Sequence, residues 1–529
     1  MKAVRFMDKF DDLLNPIAVK ELRQAVKGRV IVSALTLFLL IQLSILLLTL
    51  SFGDRRTIEP ASLYAGRGIF QILQNILLGA CILLVPLYAG LRLAAERSDS
   101  NVDLLFISTL RPRCIIAGKL QASVVLILLI FSACAPFMTF TYLLRGLDIP
   151  SIVLVLALDF LVVLLSTQGA IFLGTVPANI VLKLLLGLVG FGFLTILFSG
   201  TMEFSQELLR FGLGSHLDSV EFWLVAGAVA ITLVAVIGLL FTWSVAIVSP
   251  PSSNRALPVR LYLLSFWLVT GGLAGLLAYY FRVPIPLYFW EWANLTLLCA
   301  QLLVVINERE QWGLRVRRTI PRRGWLRGPL FLLYSGSAGG VLFTVLLLVL
   351  TLALPRFTLE YWSDFFFSSS SRFLRDFDHR NALTLVLIAL YTVDYCMLAV
   401  WLRNVLLGRI QAAYTWVLVL LLLGLGSALP WPLLFLFQNE ELRMGRTNPW
   451  WQLSNPFSTI YTCVMESSGD KTVFRDMCPL FLGVLGLMLL LGCLPWMARQ
   501  VRRFRPPEKE SHPTASAGSY APGAISPGA

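Results

Sequence analysis

A chain of 529 residues that is 57% hydrophobic and only 14% charged, with mean hydropathy +0.77, is excluded from the class of soluble globular proteins. Its net charge of +13 is spread over the ends of apolar runs, not gathered in a basic domain, which argues against nucleic acid as a partner. The eight cysteines form no C-x-x-C pair and the three histidines lie outside the apolar runs, so neither a zinc site nor an intramembrane zinc protease is expected.

Residues 1–29 are basic and predict a cytoplasmic amphipathic helix. Asn15-Pro16 is a helix-start signal, because proline at the first helical position loses no hydrogen bond. Ala18, Leu22, Ala25 and Val26 form an apolar stripe, and Lys20, Arg23 and Lys27 form a cationic one, suited to an anionic leaflet. The first apolar run follows this polar start and reads as a permanent anchor. About twelve membrane helices are expected. The first six cover roughly 30–52, 69–91, 117–140, 151–176, 180–200 and 220–247. The second six cover roughly 261–281, 285–306, 330–354, 383–402, 411–437 and 478–497.

Between the second and third runs lies a polar island, Ala94–Leu120. Ser100 can cap a short helix with Asp103 in its first turn, where negative charge suits the helix dipole. Val102, Leu105, Phe106 and Thr109 then recur at three- and four-residue steps and give one apolar face. Arg111-Pro112-Arg113 ends that helix, since proline biases its predecessor away from the helical region. Such a helix is suited to taking a push from a soluble partner, or to lying at the lipid interface.

With an even number of spans both termini fall on one side. Placing them in the cytoplasm puts roughly two-thirds of the 43 Lys and Arg inside, most densely in residues 1–29 and the loop 307–328. Asp159 and Asp394 fall within spans, where an acid costs roughly 2.5–3.5 kcal/mol on insertion scales, so both are expected to face protein or water. They can line a polar path or make inter-helical hydrogen bonds. Cys463 and Cys478 both lie near the outer side of the last span and could form a disulfide. The tail 505–529 is rich in Pro, Ser, Ala and Gly and predicts disorder.

Glu96-Arg97, Asp103-Leu104-Leu105, Ser108-Thr109, Arg111-Pro112-Arg113 and Gly118-Lys119 together resemble the cytoplasmic loop of ABC transporter permeases of the type-2 exporter class. Asn15-Pro16 and Lys20-Glu21-Leu22 resemble the helix that precedes the first span in that class. The resemblance implies an all-α polytopic fold, in the plasma (inner) membrane of a bacterial cell, and a cytoplasmic ABC ATPase as partner. It implies that Glu96, Asp103, Leu104, Leu105, Phe106, Thr109, Arg111, Pro112 and Lys119, supported by Lys20, Glu21 and Arg23, transmit force from that ATPase.

Glu308-Arg309 followed by Ile320-Pro321-Arg322-Arg323 weakly echoes the first loop and suggests two diverged six-helix halves, 30–248 and 249–504. The second copy lacks the Gly-Lys pair and Asp-Leu-Leu. One chain or two permease copies could complete the pore.

The phosphate-binding pattern G-x-x-x-x-G-K-[ST] does not occur: Leu120 follows Gly118-Lys119, and Asp470-Lys471-Thr472 lacks the glycines. No cofactor or metal is therefore expected on this chain, ATP and Mg²⁺ are expected on the partner, and catalytic residues are not expected. The expected function is the permease part of an ATP-driven exporter. The alternatives are an ion- or proton-coupled carrier using Asp159 and Asp394, and a membrane scaffold that transports nothing.

Overall fold

The computed structural model describes residues 15–52, 65–98, 111–143, 147–177, 180–211, 218–250, 252–361, 372–408, 411–437, 449–465 and 471–507. Among them there are helices, turns and short 3-10 segments but no strand. Long apolar runs become helices because only a helix satisfies its own backbone groups without water. The twelve predicted runs fall on helices, some of them divided. Among the described residues eleven stretches are long and apolar enough to cross a membrane. The remaining helix, α2, has 24 residues and carries a shorter apolar stretch, Leu35–Leu48. The chain is an all-α, multi-pass integral membrane protein.

In chain order the first helices are α1 (Pro16–Lys27), α2 (Arg29–Phe52), α3 (Ala65–Ser98), α4 (Pro112–Leu143), α5 (Ile149–Thr175), α6 (Ile180–Phe211) and α7 (Val220–Val248). Next come α8 (Ala256–Phe281), α9 (Ile285–Val305), the single turn α10 (Leu314–Arg317), α11 (Gly324–Leu333), α12 (Ser337–Tyr361) and α13 (Arg372–Val405). The last are α14 (Thr415–Ala428), α15 (Pro430–Phe437), α16 (Pro456–Met465), α17 (Lys471–Gly492) and α18 (Leu494–Arg503).

The chain forms two compact units. One comprises 1–251, 255–298 and 348–386, and the other 252–254, 299–347 and 387–529. In the first unit α3 packs along α5, α5 along α7, and α1 against α4. Its core is a continuous apolar cluster from α2 to α6, including Phe38, Phe70, Leu77, Ile127, Val155 and Leu209. Polar side chains bridge helices inside this core. Gln42 Nε2 donates to the carbonyl of Leu73 (3.2 Å), and Gln168 Nε2 to Ser244 Oγ (3.2 Å). By contrast, α6 leaves Leu184, Leu188 and Ile196 about 70% exposed, a surface for hydrocarbon.

In the second unit the predicted ninth span begins later than expected. The expected run 330–354 is broken, with α11 ending at Leu333 and α12 starting at Ser337. The start of α12 is satisfied by distant side chains. Asn254 Oδ1 accepts from Ser335 N, Glu308 Oε2 from Gly336 N, and Gln500 Oε1 from Ala338 N. Buried amide groups need such partners, and three side chains holding one turn fix the break. Trp312, Phe331, Tyr334 and Phe504 pack edge to face around it. The last expected span also divides, into α17 and the amphipathic α18, which buries Trp496, Met497 and Gln500.

Candidate functional site

α1 begins where the sequence predicts. Asn15 Oδ1 accepts from Ile17 N (3.1 Å), and Pro16 occupies the first helical position. The side-chain amide of Asn15 also donates to the carbonyl of Cys114 in α4, so one residue both starts α1 and ties it down. Gly118 permits the approach. A Cβ there would lie 2.8 Å from Ile17 Cβ.

The face α1 turns inward is Ala18, Glu21 and Ala25, all buried. Glu21 therefore stands in the middle of the apolar stripe, and Lys20, Arg23 and Lys27 are exposed. A buried carboxylate needs cations, and two converge on it. Lys119 Nζ lies 2.9 Å from Glu21 Oε1, and Arg92 Nε lies 3.0 Å from Glu21 Oε2. Glu96 completes the group, 2.8 Å from Lys119 Nζ and 3.9 Å from Arg92 Nε. Two carboxylates and two cations make a neutral cluster joining α1, α3 and α4. Arg92 also stacks over the ring of Tyr88, 5.6 Å from its centroid, and donates to its hydroxyl (2.5 Å). A cavity of about 20 Å³, room for about one water, lies among Glu21, Tyr88, Arg92, Lys119 and Ser123.

Of the predicted force-transmitting residues, Glu21, Glu96 and Lys119 are thus brought together, although they are far apart in sequence. Lys20, Arg23 and Arg111 are exposed and Pro112 is half-buried at the start of α4. Asp103, Leu104, Leu105, Phe106 and Thr109 lie outside the described residues, as does most of the tail 505–529. Arg92 and Tyr88 were not anticipated. Their signal is the four-residue spacing of Tyr88, Arg92 and Glu96, which puts all three on one face of α3.

The two in-span acids belong to different units and have different surroundings. Asp159 is fully buried and accepts from Gln74 Nε2 at 3.0 and 3.3 Å, an inter-helical bond between α5 and α3. Asp394 is 5% exposed, and among the described residues neither of its oxygens has a hydrogen-bond partner.

Two further ion clusters were not anticipated. In the first unit Arg356 Nη2 reaches the fully buried Glu291 at 2.7 Å, and its other terminal nitrogen pairs with Asp378. In the second unit Arg403 pairs with Glu310 and donates to Thr415 Oγ1 (2.8 Å), and Trp496 Nε1 donates to Glu310 (2.8 Å). Cys463 and Cys478 are both buried, and their thiols are free, without a disulfide between them. Among the described residues no group of three or more His, Cys, Asp or Glu side chains could hold a metal ion.

The second loop differs from the first in how its glutamate is used. Glu96 pairs with the side chain of Lys119, while Glu308 accepts from the backbone of Gly336 (2.7 Å). The loop 307–328 has no Gly-Lys pair, and the partner of Glu308 there is a backbone N–H. No protein-family model, curated protein or solved structure matches this chain.

Proposed function

We propose that this chain is the permease subunit of an ATP-driven exporter of the ABC class. A separate cytoplasmic ATPase, carrying ATP and Mg²⁺, acts on α1 and on the segment between α3 and α4. In this reading both termini are cytoplasmic, the membrane is the plasma (inner) membrane, and Leu105 and Phe106 are apolar anchors in a groove of the ATPase. The carrying observation is the Glu21–Arg92–Glu96–Lys119 cluster. Residues 99–110 join the end of α3 to the start of α4, and the cluster locks those two helices to α1 near that junction. A push on either the 99–110 segment or α1 is then delivered to α3 and α4 together. An unlinked α1 would absorb it.

The test is affinity purification of the full chain from its own membranes. The wild type is expected to bring down an ATPase with measurable turnover. Phe106→Ala and Leu105→Asp are expected to insert normally and to lose most of that partner. An apolar anchor at a small interface carries about 2 kcal/mol or more, which is more than tenfold in affinity. Full ATPase occupancy and normal turnover in both variants would overturn the proposal.

A further inference from the structure

Asp394 lies on the face of α13 that also carries Tyr391 and Leu398, three residues before and four after. It is buried, and both carboxylate oxygens lack hydrogen-bond partners among the described residues. The fold accommodates this acid instead of excluding it. Gly486 of α17 faces it, and a Cβ at that position would lie 2.5 Å from Asp394 Oδ1. The neighbouring phenols do not answer it. Tyr391 donates its hydroxyl to the carbonyl of Leu453 (2.6 Å), and Tyr395 donates to the carbonyl of Ser454.

The carboxylate borders a cavity of about 470 Å³, within the roughly 300–1,000 Å³ range of small-molecule sites. Among the described residues lining it, Asp394 is the one charged side chain. The walls are leucines, Phe481, Gly426, Ser454 and the two tyrosines, whose rings stack at 6.4 Å between centroids; the Ser454 hydroxyl is committed to the carbonyl of Gly426 (3.0 Å). Leu425, Leu429 and Phe481 are each about half exposed, so the cavity opens at the apolar flank of the helices and not at a polar end.

An unanswered carboxylate in an apolar chamber selects a charge-assisted donor. An anion finds no donor there, and a sugar finds apolar walls where its hydroxyls need partners. An ammonium on an apolar body satisfies both parts: the head donates to Asp394 beside two aromatic faces, and the body fills the leucine-lined space. We propose that this cavity binds a lipophilic ammonium compound, entering from the acyl layer of the membrane. The binding site is read from its own geometry. Only its identification as the cargo site rests on the export reading.

The test is a fluorescence titration of the full chain in lipid nanodiscs with dansylcadaverine, a primary amine on an aromatic body. N-acetyl-dansylcadaverine, which has no charge, is the control. The wild type is expected to bind the amine saturably, with blue-shifted emission above that of empty nanodiscs, and to bind the acetylated probe at least about tenfold more weakly. Asp394→Asn is expected to lose about tenfold or more for the amine and nothing for the acetylated probe. Leu425→Trp, at the exposed mouth, keeps the acid but fills the opening, and is expected to weaken both probes. Equal affinity of the wild type for the two probes, or unchanged amine binding in either variant, overturns the proposal. ATPase co-purification reads the export proposal separately, and Asp394→Asn is expected to leave it intact.

Discussion

Replacing Lys119 with methionine tests whether the ion cluster holds α1 in place. The substitution keeps the length and apolar stem of the side chain and removes its charge. Lys119 is 5% exposed and lies 2.9 and 2.8 Å from two carboxylates. Removing one partner of a buried pair costs about 3–5 kcal/mol, because the other charge is left without compensation. Two features lower the figure here. Glu21 keeps Arg92 at 3.0 Å, and the side chain of Glu96 is 36% exposed and can be solvated. The lower end, about 3 kcal/mol, is therefore expected. That loss falls on the docking of α1, which is also held by the Asn15 amide, the close contact at Gly118 and the packing of Ala18 and Ala25. A change of 3 kcal/mol is about 150-fold in an opening equilibrium. Amide hydrogen exchange across Lys20–Lys27 reads that opening directly and should accelerate by roughly 100-fold. The double variant Glu21→Gln with Lys119→Met removes both partners and should recover part of the protection, giving a measurable coupling energy. Exchange within about threefold of the wild type in Lys119→Met would refute the reasoning.

Arg356→Met should destabilise the first unit by about 3–5 kcal/mol, since it strands the fully buried Glu291, and thermal unfolding in detergent should show a clear drop that the charge-keeping Arg356→Lys lessens. Asp159→Asn should be better tolerated than Asp159→Leu by about 1–3 kcal/mol, because Asn still accepts from Gln74 and Leu leaves that amide unsatisfied; equal loss in the two variants would point to a role for the charge. Cysteines placed at Ser98 or Thr319 should resist an impermeant maleimide added to intact cells, and ready labelling at both would reverse the proposed orientation.

The spans were legible because every long apolar run must become a helix in hydrocarbon. Their ends were not, for a physical reason. α3 has 34 residues, about 51 Å at ~1.5 Å per residue, against a hydrocarbon core of about 30 Å. Its last turns carry Arg92 and Glu96, so the helix outruns the apolar window that a hydropathy reading detects. The break between α11 and α12 has a local signal that mean hydropathy averages away. Ser335-Gly336-Ser337 interrupts the apolar run 330–354, Gly336 takes a positive φ, and Asn254, Glu308 and Gln500 from elsewhere in the chain hold the backbone there. Individual charges were visible in the sequence, but their pairing was not. Glu21 belongs to neither stripe read from the sequence and is the centre of the buried face, because Lys119 and Arg92 meet it there.

The two in-span acids show what this difference means for function. Both cost the same to insert by sequence alone, and both were expected to find polar company. Asp159 has found it in Gln74, and the surrounding core of α2 to α6 is closed around the pair. Such an acid works as a structural bond, with its acceptor capacity used internally. Asp394 has an aliphatic and aromatic chamber in front of it, a glycine opposite that yields space, and phenols committed elsewhere. A protein that needed Asp394 only for packing would supply a donor, as it does for Asp159. The unanswered carboxylate is explained if the missing donor is a molecule that comes and goes. Asp394→Asn should then leave the fold no less stable than wild type, since it removes an uncompensated charge, whereas Asp159→Leu should weaken it.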